Sequence, residues 1–259
     1  LKIENSVVSG NSGGPGAGIF NQGTLTIENS TISGNEANFS CAPSNVCVTS
    51  RGGGLWNAGI FGRIGTATIV NSTISGNKAE RGGGVYNEGV LSIENSTISN
   101  NTVNVDGGGI LNDHTLTITN STISGNIGVR GGGVRNEDTL TLNRSLITGN
   151  AATGATGPEV ENIGTVTVDD FNLFGLQGDA GVTGFSPGGT DIVPGPGVSL
   201  KKILGPLRNN GGLTKTHALS KTSPALDAIA SSDPGCSGSD QRGVQRPLGL
   251  GCDIGAVER

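Results

Sequence analysis

Asp106, Asp113 and His114 are the one tight grouping of acids with a histidine in a chain that holds only two histidines. Carboxylate and imidazole groups this close can exchange a proton, so His114 is a candidate general base with Asp106 and Asp113 as acidic partners. A solvated turn is the competing structural reading. Glu88, Asp113 and Glu137 share one recurring position, and Arg51, Arg81, Asp106 and Arg130 share another. A polysaccharide hydrolase needs paired acids on one face, and a lyase needs calcium and a base. Acids scattered by column beside unlike charges suit ordinary surface ion pairs instead. Asp227, Asp240 and Asp253 are candidate calcium ligands, although no regular ligand loop contains them. A polar network with Arg242 and Arg246 is the alternative there, and no other cofactor is implied.

These residues are positioned by a repeat. The phrase Leu-x-Ile-x-Asn-Ser-x-Ile-Ser-Gly-Asn starts at residues 1, 25, 67, 91, 116 and 140, with a worn copy at 166. The steps are 24 residues or close to it, except one of 42, which carries 18 inserted residues. A second phrase, Gly-Gly-Gly-aliphatic-x-Asn, starts at 52, 82, 107 and 131, with variants at 16 and 157. It places twelve of the inserted residues between Asn35 and Gly52 and six around Ala58–Arg63. Within each copy apolar residues alternate, as Leu25 and Ile27 do, and alternation means strand. Glycine and asparagine between short β-branched runs mean turns. A coil of this size cannot bury its own apolar face, so coils must stack. The sequence therefore predicts an all-β chain, a right-handed parallel β-helix over 1–176, with the insertion at 36–51. The handedness follows from the rule for parallel crossovers. Residues 177–259 are expected as a loop-rich C-terminal cap continuing the solenoid.

Three asparagine columns follow the repeat. Asn29, Asn71, Asn95 and Asn120 form one; Asn35, Asn77, Asn101, Asn126 and Asn150 form another; the third runs through Asn21, Asn57, Asn87, Asn112 and Asn136. Stacked amides can donate and accept along the axis, so all are expected as structural ladders. The first column also heads Asn-Ser-Thr, leaving glycosylation as an alternative.

Several features bear on partners. Phe20, Trp56, Tyr86 and Leu111 occupy the outward position of the glycine phrase and predict one apolar stripe. It is a contact surface for protein or sugar, or a satellite core closed by the insertion with Phe39 and Phe61. Thr-x-Thr recurs at 24, 66, 115, 139 and 165, the pattern of an ice-binding face, although Thr is also an ordinary exposed strand residue. The net charge is −5 and no basic patch stands out, which argues against nucleic acid. No apolar run is long enough for a membrane span. The four cysteines form two local pairs, Cys41–Cys47 and Cys236–Cys252, read as disulfides of an oxidising compartment. No amphipathic segment precedes the first repeat, so that solenoid end is expected to be open to self-association, head to tail in a fibre.

The last segment contains Gly205–Gly212 with Thr214–Leu219, then Ser223–Ala228, Asp240–Pro247 and Cys252–Glu258. In this order these pieces resemble the choice-of-anchor Q domain of bacterial surface proteins, which follows β-helical repeats. The resemblance implies a secreted or surface-held bacterial protein, with surface polysaccharide or other surface proteins as partners. It implies no catalytic residues. Gly82–Val85 and Ile74–Asn77 are similar to the repeats of chlamydial polymorphic outer-membrane proteins, which implies adhesion. The leading expectation is a non-catalytic structural protein acting in display, adhesion or assembly. A polysaccharide-binding or pectate-lyase-like β-helix is second and ice binding third.

Overall fold

The computed structural model describes residues 1–38, 40–41, 47–60, 62–168 and 170–259, without the side chains of Ser40, Cys41, Cys47, Val48 and Ala155. The chain winds as a parallel β-helix of about seven coils of roughly 25 residues each. Each regular coil contributes one strand to each of four sheets. The first sheet takes the Leu-x-Ile phrase: Lys2–Glu4, Thr24–Glu28, Thr66–Val70, Val90–Glu94, Thr115–Thr119, Thr139–Asn143 and Thr165–Val168. The second takes the Thr-Ile-Ser part: Val7–Ser9, Thr31–Ser33, Thr73–Ser75, Thr97–Ser99, Thr122–Ser124, Leu146–Ile147 and Leu173–Phe174. The fourth takes the end of the glycine phrase: Ile19–Asn21, Leu55–Asn57, Val85–Asn87, Ile110–Asn112, Val134–Asn136, Val160–Asn162 and Val182–Thr183.

The third sheet has no clear signature in the repeat. It runs through Ser12–Gly13, Glu36–Ala37, Lys78–Arg81, Thr102–Asp106, Ile127–Arg130 and Ala151–Thr156. Its register slips at Ala79/Arg81, Thr102/Asp106 and Gly128/Arg130. The inward residues there, such as Ala79 and Val103, are small and vary from coil to coil. The backbones of Ser40–Cys41 and Cys47–Val48 pair antiparallel beside this sheet. The expected Cys41–Cys47 bridge lies outside the described residues.

Stacking buries the aliphatic rows as one column. Leu25, Ile27, Ile32, Ile69, Ile74, Ile93 and their counterparts are enclosed. Each such side chain contributes roughly 1.5–3 kcal/mol over leaving it in water. The glycine phrase exists because successive coils approach too closely for a side chain. A Cβ on Gly84 would sit 2.6 Å from Gly109 O and 2.9 Å from Asn101 Nδ2. Gly82 instead needs its left-handed conformation, φ 59°.

The asparagine columns divide. The second is a continuous amide ladder: Asn35 Nδ2 donates to Asn77 Oδ1 (3.0 Å), Asn77 to Asn101 (2.9 Å), Asn101 to Asn126 (3.0 Å) and Asn126 to Asn150 (2.9 Å). The third column does the same from Asn21 through Asn136 to Asn162. The first does not. Among the described residues, Asn29, Asn71, Asn95 and Asn120 make no amide-to-amide bonds. They hold the corner between the first and second sheets at φ 45–50°. Asn reaches that left-handed region at lower cost than most residues. The ladder at this corner is built by serine. Ser30 N donates to Ser72 Oγ, Ser72 N to Ser96 Oγ, and Ser96 N to Ser121 Oγ, at 3.0–3.1 Å.

The C-terminal segment departs from a cap that only continues the solenoid. It first adds partial strands, Val182–Thr183 and a bridge from Leu173 to Ile192. From a short helix at Leu200–Ile203 it turns back along the outer face of the second sheet. Leu204–Arg208 pairs antiparallel with Thr216–Leu219. Three consecutive coil threonines then bond to this strap. Thr73 Oγ1 donates to Lys215 O (2.6 Å), Thr97 Oγ1 donates to Gln241 Oε1 (2.6 Å), and Thr122 Oγ1 accepts from Ala256 N (3.0 Å). A second apolar cluster, including Leu146, Leu173, Ile203, Leu219, Ile229 and Ile254, closes the contact. The Cys236–Cys252 disulfide is formed within it. The Asn-Ser-Thr acceptors at Asn71, Asn95 and Asn120 therefore have their threonines buried beneath the strap.

Candidate functional site

Asp106, Asp113 and His114 are not brought together. Asp106 ends a third-sheet strand and is buried, and its carboxylate receives Arg130 Nε (2.7 Å) and a second guanidinium nitrogen of Arg130 (2.8 Å). Asp113 follows a fourth-sheet strand, and its Oδ2 accepts from the Tyr86 hydroxyl at 2.5 Å. Burial pushes the Asp113 carboxyl above its usual range, and burial beside Asp113 pushes the Tyr86 hydroxyl far up. His114 Nδ1 lies 3.0 Å from its neighbour Thr115 Oγ1. Among the described residues no hydrogen bond or ion pair joins the three. The four-sheet cross-section sends Asp106 and Asp113 to opposite ends of the glycine phrase.

The outward stripe is closed. Trp56, Tyr86 and Leu111 are buried, and only Phe20, at 46 % exposed, remains open. Ala58 and Ile60 from the six-residue insertion pack on them. Arg51 lies 5.7 Å from the Trp56 ring and 5.3 Å from the Tyr86 ring, and Glu88 accepts from both Arg51 (3.0 Å) and Trp56 Nε1 (2.7 Å). One coil further, the column holds Arg135, bonded to Glu137 (2.7 Å) and Glu161 (2.5 Å). The stripe is a satellite core roofed by cation–π contacts and ion pairs. Phe39 and Phe61 lie outside the described residues.

The calcium candidates are also engaged. Asp240 accepts from Arg242 N (2.8 Å), Val244 N (2.9 Å), Glu258 N (2.9 Å) and the Arg242 guanidinium (2.7 and 2.9 Å). Asp253 accepts from Asp227 N and Arg259 N, both at 2.7 Å, and Asp227 accepts from Gly251 N at 2.9 Å. Burial lifts the Asp253 carboxyl to about 6. Arg246 reaches the Glu258 carboxylate and the carbonyls of Asp253 and Gly255. This is the polar network that shapes the strap, and among the described residues no group of three metal-ligating side chains is assembled.

Two groups stand out that the sequence did not single out for their environment. Glu159 occupies the next position of the second asparagine ladder. Its carboxylate accepts from Asn150 Nδ2 (2.6 Å), Asn150 N (3.2 Å) and Gly149 N (2.8 Å). Burial outweighs these donors and lifts its pKa to about 7. His217 joins strap to coil: Nδ1 donates to Gly205 O (2.7 Å), which leaves Nε2 to accept from Ser99 Oγ (2.9 Å). Burial lowers its pKa. No spacing rule predicts either contact, because one needs the coil register and the other spans 118 residues.

The residues on the outer face of the first sheet are exposed or half-buried. Thr24, Thr66, Val90, Thr115, Thr139 and Thr165 align in one file, and Thr26, Thr68, Ser92, Thr117, Thr141 and Thr167 in a second. The molecule is a β-solenoid with a side strap. Comparisons with protein families, with curated proteins and with solved structures find no match to this chain.

Proposed function

We propose that this chain is a non-catalytic scaffold of a secreted or surface-held bacterial protein, acting in display or adhesion. One observation carries the reading: among the described residues the candidate acids Asp106 and Asp113 are each held in a structural bond, and neither is bonded to His114. Asp106 is paired with Arg130, Asp113 with the Tyr86 hydroxyl, and His217 is held on both ring nitrogens. Ladders, ion pairs and the strap make a stiff body about 29 Å along its axis, from six steps of roughly 4.8 Å. The Cys236–Cys252 disulfide supports an oxidising location. The likeness of the strap motifs to a choice-of-anchor Q domain supports a surface role.

The test is a turnover screen of the purified chain against acidic and neutral polysaccharides, read as new reducing ends or unsaturated products. No turnover is expected. Turnover abolished by Asp106→Asn, Asp113→Asn or His114→Ala would sink the scaffold reading. Ice binding is the reading that the open first-sheet face favours. It requires thermal hysteresis that disappears in Thr117→Tyr.

A further inference from the structure

The strap carries a run of cations with no acid among them in the sequence. Residues 192–226 contain Lys201, Lys202, Arg208, Lys215 and Lys221 and no Asp or Glu, in a chain of net charge −5. All five cations are exposed, and among the described residues none is in an ion pair. By contrast, Arg51, Arg130, Arg135, Arg242 and Arg246 all face carboxylates.

Two of these cations, Lys201 and Lys215, line a groove. Two hollows, of about 440 and about 550 Å³, lie between the strap and the coil corners and meet at Asn100 and Leu207. One wall is polar and periodic, with Ser33, Ser75, Asn100 and Ser124 contributed by successive coils. The other wall is the strap, which contributes Leu204, Leu207 and Thr214, with Lys201 lining one hollow and Lys215 the other. Among the described residues no acid lines either hollow. From Val7 to Ser124 the groove spans four coil steps, about 19 Å.

We propose that this groove binds an extended chain of carboxylated sugars, a polyuronate. Each coil offers a hydroxyl or amide at about 4.8 Å intervals, close to the advance of one pyranose in an extended glycan. Lys201 and Lys215 supply charge for the carboxylates without an opposing acid. Nucleic acid fits less well, because single-stranded chains are held by aromatic platforms. Among the described residues no Phe, Tyr or Trp lines the groove, and Trp56 and Tyr86 are buried on the fourth sheet. Neutral glycans leave the cations unused. The scaffold reading stands apart from this assignment, since a scaffold can hold a glycan without cutting it.

The experiment is calorimetric titration of the intact chain with an oligogalacturonate, with dextran and an oligothymidylate as comparison ligands. Oligogalacturonate is expected to bind alone or most tightly, and added salt is expected to weaken it. Lys201→Glu with Lys215→Glu should cost at least tenfold in affinity, as should Ser75→Asp on the opposite wall. Lys78→Glu, exposed on the third sheet, should leave affinity unchanged, and circular dichroism confirms that each variant is folded. Absence of oligogalacturonate binding, equal binding of dextran, tighter binding of oligothymidylate, or wild-type affinity in the double variant would each overturn the proposal. Glycan length after incubation separates the two readings: shortening refutes the scaffold and leaves the groove, whereas absent binding refutes only the groove.

Discussion

Asn150 Nδ2 donates to Glu159 at 2.6 Å, and this single contact ends a ladder in which every amide points the same way along the solenoid. A carboxylate stands where a further asparagine would repeat the pattern. It can only accept when ionised, so the donor series stops there without an orphaned hydrogen.

Glu159 makes stability depend on pH. Its folded pKa is about 7, against an ordinary 4.5. Between these values the folded state holds a proton that the unfolded chain has lost. The contribution is thus full below 4.5 and is lost as pH rises through 7, on the order of 3 kcal/mol. Thermal unfolding of wild type and Glu159→Gln across this range should show the fall in wild type and a flatter profile in the variant. Parallel profiles would contradict the burial of this carboxyl.

His217 acts with the opposite sign. Burial holds its folded pKa below the ordinary 6.5. The neutral ring therefore stabilises the strap above 6.5, and that contribution is lost as pH falls through the folded value. Protection of the 204–219 amides from hydrogen exchange, corrected for the intrinsic rate at each pH, should fall on acidification. In His217→Gln, that protection should depend little on pH.

The two asparagine columns should respond differently to substitution. Asn95 holds φ 45° with no amide bond, so Asn95→Gly should be tolerated and Asn95→Val should not. Asn101 has φ in the ordinary range, donates to Asn126 and accepts from Asn77. Asn101→Leu strands both partners, at about 1–3 kcal/mol for each buried group. Denaturant midpoints of the three variants decide the matter.

Crowding between coils predicts a contrast among glycines. Gly84→Ala drives a methyl into Gly109 O and should cost about 1–3 kcal/mol. A Cβ on Gly14 meets nothing within 4 Å, so Gly14→Ala should be close to neutral. Melting temperatures of the pair provide the check.

Local periodicity carried much of this molecule. Leu25, Ile27 and Ile32 face inward because alternation and turn spacing admit no other solution. The Asn35 and Asn21 columns stack because identical residues at one period must meet. Asn29 was legible only as a column: its conformation, rather than its amide, is what the corner uses. The candidate site was less legible. Asp106, Asp113 and His114 are close in sequence, yet Asp106 ends a third-sheet strand while Asp113 and His114 follow the fourth-sheet strand Ile110–Asn112.

By itself the sequence determined the parallel β-helix, its period, its insertion and its inward rows. Those follow from spacings of two and about 24 residues, which are local quantities. The tertiary structure alone decided what the outer faces do. The strap covers Thr73, Thr97 and Thr122, Ala58 and Ile60 close over Trp56 and Tyr86, and Lys201 and Lys215 line a groove. The strap contacts join residues more than a hundred positions apart, where periodicity carries no information and only shape, charge and hydrogen-bond satisfaction choose the neighbour.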